Sequence, residues 1–367
     1  MYIIGILNIV IHIKFGLMDI IGITKLLKEV RIMKKRTTVF MLLISILLFT
    51  SIVACRGKDV DENNGEPADK VEQTTEDIVE NDEETIMKDF KTMVKSDNEP
   101  FTLVKFIDEN IEKVKIEYAT EMIKDLEEVQ EGYIERYTDQ LFMEEHQMEL
   151  LSLSEIGQTG RDEMENKIEN LLFFDETKIE EIKNGNLNEL VKKLIQGKYR
   201  LINMEGAFYP IIDYEELKVY NDYLSEEMKE YIDIKSMDSN MPTILDAGIV
   251  ISFDQLAERL IKTENYILKY PDSIKYEEIL RLYGVYLKFY LEGSSNTPIY
   301  DFESKKIKDE ILSSYKKVKD MDETVTSKVV SKYIDIIGEN QNIIDENVLS
   351  KVTELHSEAI ATIEEQK

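Results

Sequence analysis

The sequence predicts an all-α fold, a multi-helix bundle with one very long helix or helical arm and one short irregular or extended segment near 197–214. Three observations predict it. Apolar residues recur at steps of three and four over most of the chain beyond Thr85. Proline is scarce, at 6 of 367 residues, so little interrupts helices. One stretch alone, 197–214, joins glycine and proline to dense aromatic and β-branched residues.

The longest periodic run is Val104, Ile107, Ile111, Val114, Tyr118, Met122, Leu126, Val129, Tyr133, Tyr137 and Leu141. Its mean step of about 3.7 is a helical period, and it predicts one helix or two nearly collinear ones over 104–141. Further helices are expected at 162–174, 176–183 and 187–196, with Asn184-Gly185-Asn186 as a turn. Then come "GKYRLINMEGAFYPIIDY", read as a short hairpin turning at Glu205-Gly206, and helices at 214–233, 253–270, 274–292, 303–320, 323–338 and 343–365. Tyr270-Pro271-Asp272-Ser273 stops one helix and starts the next. That pair loosely resembles a tetratricopeptide unit, but an array needs at least three repeats and no second copy occurs.

The chain before Thr85 reads differently. Lys34, Lys35 and Arg36 precede an apolar run from Val39 to Ala54, which ends at Cys55, the one cysteine in the chain. This is the charged, apolar, small-residue order of a secretory signal. The run is short of the roughly 20 residues that span a bilayer. Ile52-Val53-Ala54-Cys55 resembles the lipobox of bacterial lipoproteins. The resemblance implies that Cys55 is lipidated, becomes the mature N-terminus and anchors the protein to the outer face of the cytoplasmic membrane, where two or more acyl chains hold stably. Biased use of Ile, Lys, Glu and Asn points to an AT-rich, Gram-positive source. Residues 1–32 are expected to be upstream DNA read as protein, because Lys28-Glu29-Val30 can be encoded as a ribosome-binding sequence just before Met33. Residues 33–54 are then the signal peptide, and the acidic stretch 55–84 a disordered tether reaching roughly 30 Å. Its "DVDENNG" is no calcium loop, because Asn64 and Lys70 stand where Gly and Glu are required. Two helical regions, 85–196 and 197–367, are expected to follow.

The formal net charge is -29. Seven basic and two acidic residues precede Cys55, so the mature chain is more acidic still. Such charge repels phosphate backbones and anionic lipid, which excludes nucleic acid as a partner, and it favours basic ones. With Cys55 lipidated there is no disulfide or thiolate site.

Chemistry is thin. His146 and Glu149 sit three apart, a minimal metal-binding or acid–base pair if helical. The spacing is similar to the His-x-x-Glu motif of imelysin-like helical lipoproteins, which implies metal binding, although the glycine expected near that motif is missing. His356 has Glu354 and Glu358 on other faces and no expected role. No Ser-His-Asp set or glycine-rich phosphate loop appears, and no carboxylate pair stands out among 74 acidic residues. Tyr276, Tyr283, Tyr286 and Tyr290 form a core stripe. The best recognition surface is Tyr199, Arg200, Glu205, Tyr209, Asp213 and Tyr214, which offer stacking faces and both charge signs. The expectation is a non-catalytic, membrane-tethered module, without cofactor, that binds an envelope protein or cell-wall component. A metal- or solute-binding lipoprotein is the alternative.

Overall fold

The computed structural model describes residues 75–154, 172–321 and 324–367, with side chains from residue 82 onward. The segments expected to be an upstream extension, a signal peptide and a lipobox ending at Cys55, and most of the helix expected at 162–174, lie outside the described residues. Residues 72–367 form one compact, mainly α-helical unit.

Helix α1 (Thr75–Lys95) begins inside the stretch expected to be tether. Its acidic first turns favour a helix N-terminus, and Met87 and Phe90 bury its later turns, from which a helix extends cheaply. Helix α2 (Pro100–Asn110) carries proline at its start, where no amide partner is lost. Helix α3 is Ile116–Leu141. Of the two arrangements expected over 104–141, one helix or two nearly collinear ones, the single helix is not found, and the run is divided between α2 and α3. A 3-10 turn, Ile111–Lys113, and two extended residues, Val114 and Lys115, break it. The spacing persists across the break because both helices present their stripes to one core. Leu103, Val104, Ile107 and Ile111 are buried with Met122, Ile123 and Leu126.

Helix α4 (His146–Leu153) follows a turn, and α5 (Gly185–Gln196) starts where Asn184 accepts from the amides of Asn186 and Leu187. Residues 176–181 form a 3-10 turn, and Phe173 and Phe174 pair with the first strand instead of ending a helix. Strands β1 (Tyr199–Met204) and β2 (Ala207–Ile212) make the expected hairpin. Its two-residue turn has φ of 53° at Glu205 and 81° at Gly206, the left-handed pair whose twist matches that of the strands. Phe208, Pro210 and Ile212 face inward, while Tyr209 and Ile211 alternate outward. Nothing lies within 4 Å of a Cβ built at Gly206, so its cost to other residues is in the backbone alone. Gly206→Val is expected to lower stability by about 1–2 kcal/mol, read from the urea midpoint with an unchanged m-value.

The helix expected at 214–233 is split into α6 (Tyr214–Leu217), a 3-10 turn at Lys218–Tyr223, and α7 (Glu226–Asn240), which Ser225 caps. A second small hairpin, β3 (Ile244–Leu245) and β4 (Gly248–Ile249), leads to α8 (Phe253–Lys269), opened by a Ser252–Gln255 capping box. Helices α9 (Tyr276–Glu292), α10 (Asp309–Lys319), α11 (Val325–Glu339) and α12 (Glu346–Glu364) complete the unit. The carboxylate of buried Glu264 on α8 accepts from the amides of Val325 (2.6 Å) and Thr326 (2.9 Å), tying the start of α11 to α8. The tyrosine stripe of α9 is core, as its spacing predicts. Tyr283, Tyr286 and Tyr290 reach Thr326 (3.1 Å), Asp238 (2.5 Å) and Ser314 (2.9 Å) with their hydroxyls. One hydrophobic cluster runs from Met87 to Ile363, through both sides of the β1–β2 hairpin. Among the described residues no helix is long and apolar enough to cross a membrane.

Candidate functional site

The fold uses most of the expected recognition surface internally. Tyr199 is buried, donates to the Gln130 carbonyl (2.6 Å) and meets Tyr137 edge-on. The Arg200 guanidinium lies 3.5 Å from the Phe173 ring centre and donates to the Ser239 carbonyl (3.2 Å). Asp213 caps α6 by accepting from Glu215 and Glu216 amides, with Arg200 Nε 3.7 Å away. Burial pushes the Asp213 carboxyl up, against the pull of Arg200. Tyr214 is buried and donates to Glu127 (2.6 Å). Only Glu205, exposed at the hairpin tip, and Tyr209, part-exposed, remain outside. His146 and Glu149 bond to different groups. Glu149 accepts from the amides of Lys183 (2.5 Å) and Asn184 (3.3 Å), whereas His146 turns to the Gln140 carbonyl.

Two arrangements emerge. The first is a buried ionic network between α3, α6, α7 and α9. Glu127, only 2% exposed, accepts from Tyr214, Tyr231 and Lys275. Tyr231 also donates to Glu278 (3.0 Å), as does Lys235 (2.5 Å). Burial opposes the Glu278 charge, but Lys235, Lys275 and Tyr231 outweigh it and hold this carboxyl below the usual range. Burial likewise opposes the Lys275 charge, and Glu127 outweighs it. The Tyr231 and Tyr214 phenols, raised by burial, stay protonated donors. Carboxylate oxygens of Glu127, Glu131 and Glu278 lie within 4.8 Å of one another. Lys235 and Lys275 already pair with Glu127 and Glu278, which leaves Glu131 as the one carboxylate of the trio unpaired among the described residues and makes a metal site here unfavourable.

Beside the network opens a cavity of about 320 Å³. Ile134, Ile211, Ile212 and Leu282 form its apolar wall, and Glu131, Lys235 and Asp238 its polar one. Glu131 is exposed at the rim, yet its carboxyl points toward the network. Desolvation there, then the Glu127 charge, pushes it up. A carboxyl raised in the fold costs stability at neutral pH, and the cost fades as pH falls through its folded value toward the ordinary 4.5. Glu131→Gln is therefore expected to be more stable than wild type at pH 7.5. The gain should vanish below pH 4.5, as seen by denaturant melts across pH.

The second arrangement is an outward corner between α3, α4 and β2. Phe142, Met143 and Met148 are 49%, 54% and 64% exposed. Phe142 stacks obliquely on Tyr209 with ring centres 5.3 Å apart. Gln147 bonds both the amide (2.8 Å) and the carbonyl (2.9 Å) of Phe208, which clips α4 to the edge of β2 and fixes the corner. Glu144 and Glu145 are exposed within it, and Glu205 at the hairpin tip. The spacing of apolar residues pointed past this corner, since it counted Leu141 as the end of a stripe. The readable signal was Leu141-Phe142-Met143, three large apolar residues in a row, which one helix face cannot bury together. No family model, curated protein or solved structure matches the chain.

Proposed function

We propose that this chain is a non-catalytic docking module, lipid-anchored through Cys55 on the outer face of a bacterial cytoplasmic membrane, that binds another envelope protein. The carrying observation is the rigid corner of Phe142, Met143, Met148 and Tyr209, with exposed carboxylates around it. Aromatic and methionine side chains are the usual anchors of protein contacts, and methionines adapt to varied apolar partners. Charge selects the partner's character, since a chain of net charge -29 attracts a basic segment with an apolar face. Two experiments test this. Cys55→Ser should release the protein from the membrane fraction, because the acyl chains are its anchor; retention would remove the anchoring role. A photoreactive residue at Phe142 in intact cells should capture one envelope protein that the same probe at Met321, an apolar residue likewise exposed, does not. Equal capture at both positions would sink the docking role.

The cavity supports a second reading, solute binding. At about 320 Å³ it reaches the small end of ligand pockets. Glu131 brings a carboxylate to its rim without a hydrogen bond or ion pair to any described residue. A small cationic, partly apolar solute would fit it, and Glu131→Gln would then weaken that solute's binding.

A further inference from the structure

His146 is 5% exposed. Its Nδ1 lies 2.8 Å from the Gln140 carbonyl oxygen. A carbonyl only accepts, so Nδ1 carries the proton, and in the neutral ring Nε2 presents a lone pair. Nε2 is buried without a hydrogen-bond partner. The residue lines a cavity of about 290 Å³, shared with Glu144, Asn186 and Glu189. Glu144 Oε2 stands 3.8 Å from Nε2 and accepts from the Asn184 side-chain amide at 3.2 Å.

We infer that His146 Nε2 and the Glu144 carboxylate bind a divalent first-row transition ion of the zinc, nickel or cobalt class, with water completing its coordination. Three considerations carry this. A ring N–H fixed on a carbonyl, with the other nitrogen bare, is how metal-binding imidazoles are held. An imidazole with a carboxylate suits these ions, whereas calcium and magnesium prefer oxygen alone. Bonds of about 2.1 Å at a tetrahedral angle place two ligand atoms about 3.4 Å apart, so a few tenths of an ångström of movement by the exposed Glu144 closes the site. Among the described residues no third acidic, histidine or cysteine ligand atom lies within 4.8 Å of both. The site is thus an open one with two protein ligands. It uses Glu144, two residues before the histidine, where the spacing had pointed to Glu149. It adjoins the docking corner, since Met143 and Glu144 line the same cavity, but its observations are the histidine and its bare nitrogen, and the zinc readout does not depend on a protein partner.

Zinc is the probe, and nitrogen-detected NMR of the histidine rings in the purified protein at pH 7.5 is the readout. The expected result is a large shift of the His146 Nε2 resonance that saturates at one equivalent. His356 should not move, because its ring, though bonded to the Gly284 carbonyl (3.0 Å), pairs with no described carboxylate, whereas Glu144 stands beside His146. Glu144→Gln should weaken zinc at least about tenfold, and Glu149→Gln should leave it unchanged. An unmoved His146 at one equivalent overturns the inference. Equal zinc affinity in Glu144→Gln and wild type overturns it as well.

Discussion

Replacing Glu127 by alanine is expected to lower the unfolding free energy by about 3–5 kcal/mol, the usual cost of stranding one member of a buried ion pair. The loss is large because three donors converge on this carboxylate. Lys275, part-buried, would lose its nearer partner and keep only Glu278 at 3.6 Å, and the Tyr214 and Tyr231 hydroxyls would lose an acceptor. Three elements would loosen together, since those donors come from α6, α7 and the start of α9. Lys275→Met should cost less, because two phenols still donate to Glu127. The double variant should be less damaging than the two single losses added, since no charge is stranded. Urea unfolding of the three proteins measures this. Additive losses would mean that the pair is not coupled and that burial of the neighbouring tyrosines holds the helices instead.

Placing aspartate at Phe142 together with alanine at Tyr209 is expected to weaken partner binding by about a hundredfold or more. Two aromatic anchors at the centre of a contact carry about 2 kcal/mol or more each when truncated, and the new carboxylate is desolvated on docking. Stability should change by less than about 1 kcal/mol, because Phe142 is exposed and Tyr209 is outside the buried face of β2. Binding lost with unchanged unfolding would place the contact at this corner. Glu205→Gln at the exposed hairpin tip should mainly lower the association rate and its salt dependence, as rim charges do.

The helices beyond Ser252 were legible because they carry local apolar stripes, although the one expected at 303–320 begins only at Asp309, Lys306 and Ile307 being in β-bridges. Val329, Val330, Tyr333 and Ile337 make a stripe on α11, and Val348, Val352, Leu355 and Ile363 make one on α12. The hairpin was legible too, through Gly206 and the flanking aromatic residues. The break in the long helix was not. Ile111 and Val114 keep the apolar phase while the backbone turns, and phase reports which side is buried, not whether the chain continues. The start of α1 was hidden for the opposite reason, since its acidic first turns read as solvated coil.

The site was less legible than the fold. Tyr214 stood in the expected set, but its acceptor Glu127 is 87 residues away and lay among acids that spacing could not rank. The aromatic residues of 197–214 stand out in the sequence, yet side-chain direction divides them. Tyr199 and Tyr214 go inward and Tyr209 outward. That division follows from the strand register and from α3 covering one face of the hairpin, neither of which local sequence states.

Native mass spectrometry on the protein released gently from its own membranes, beside the variant carrying aspartate at Phe142 and alanine at Tyr209, is the most direct measurement. A docking module should carry a stoichiometric second protein, and the variant should fly without it, at a mass lower than the wild-type chain by its two substitutions alone. A second protein retained equally by the variant would contradict docking at this corner. A wild-type mass carrying only a small organic ligand would move the function to the cavity beside Glu131.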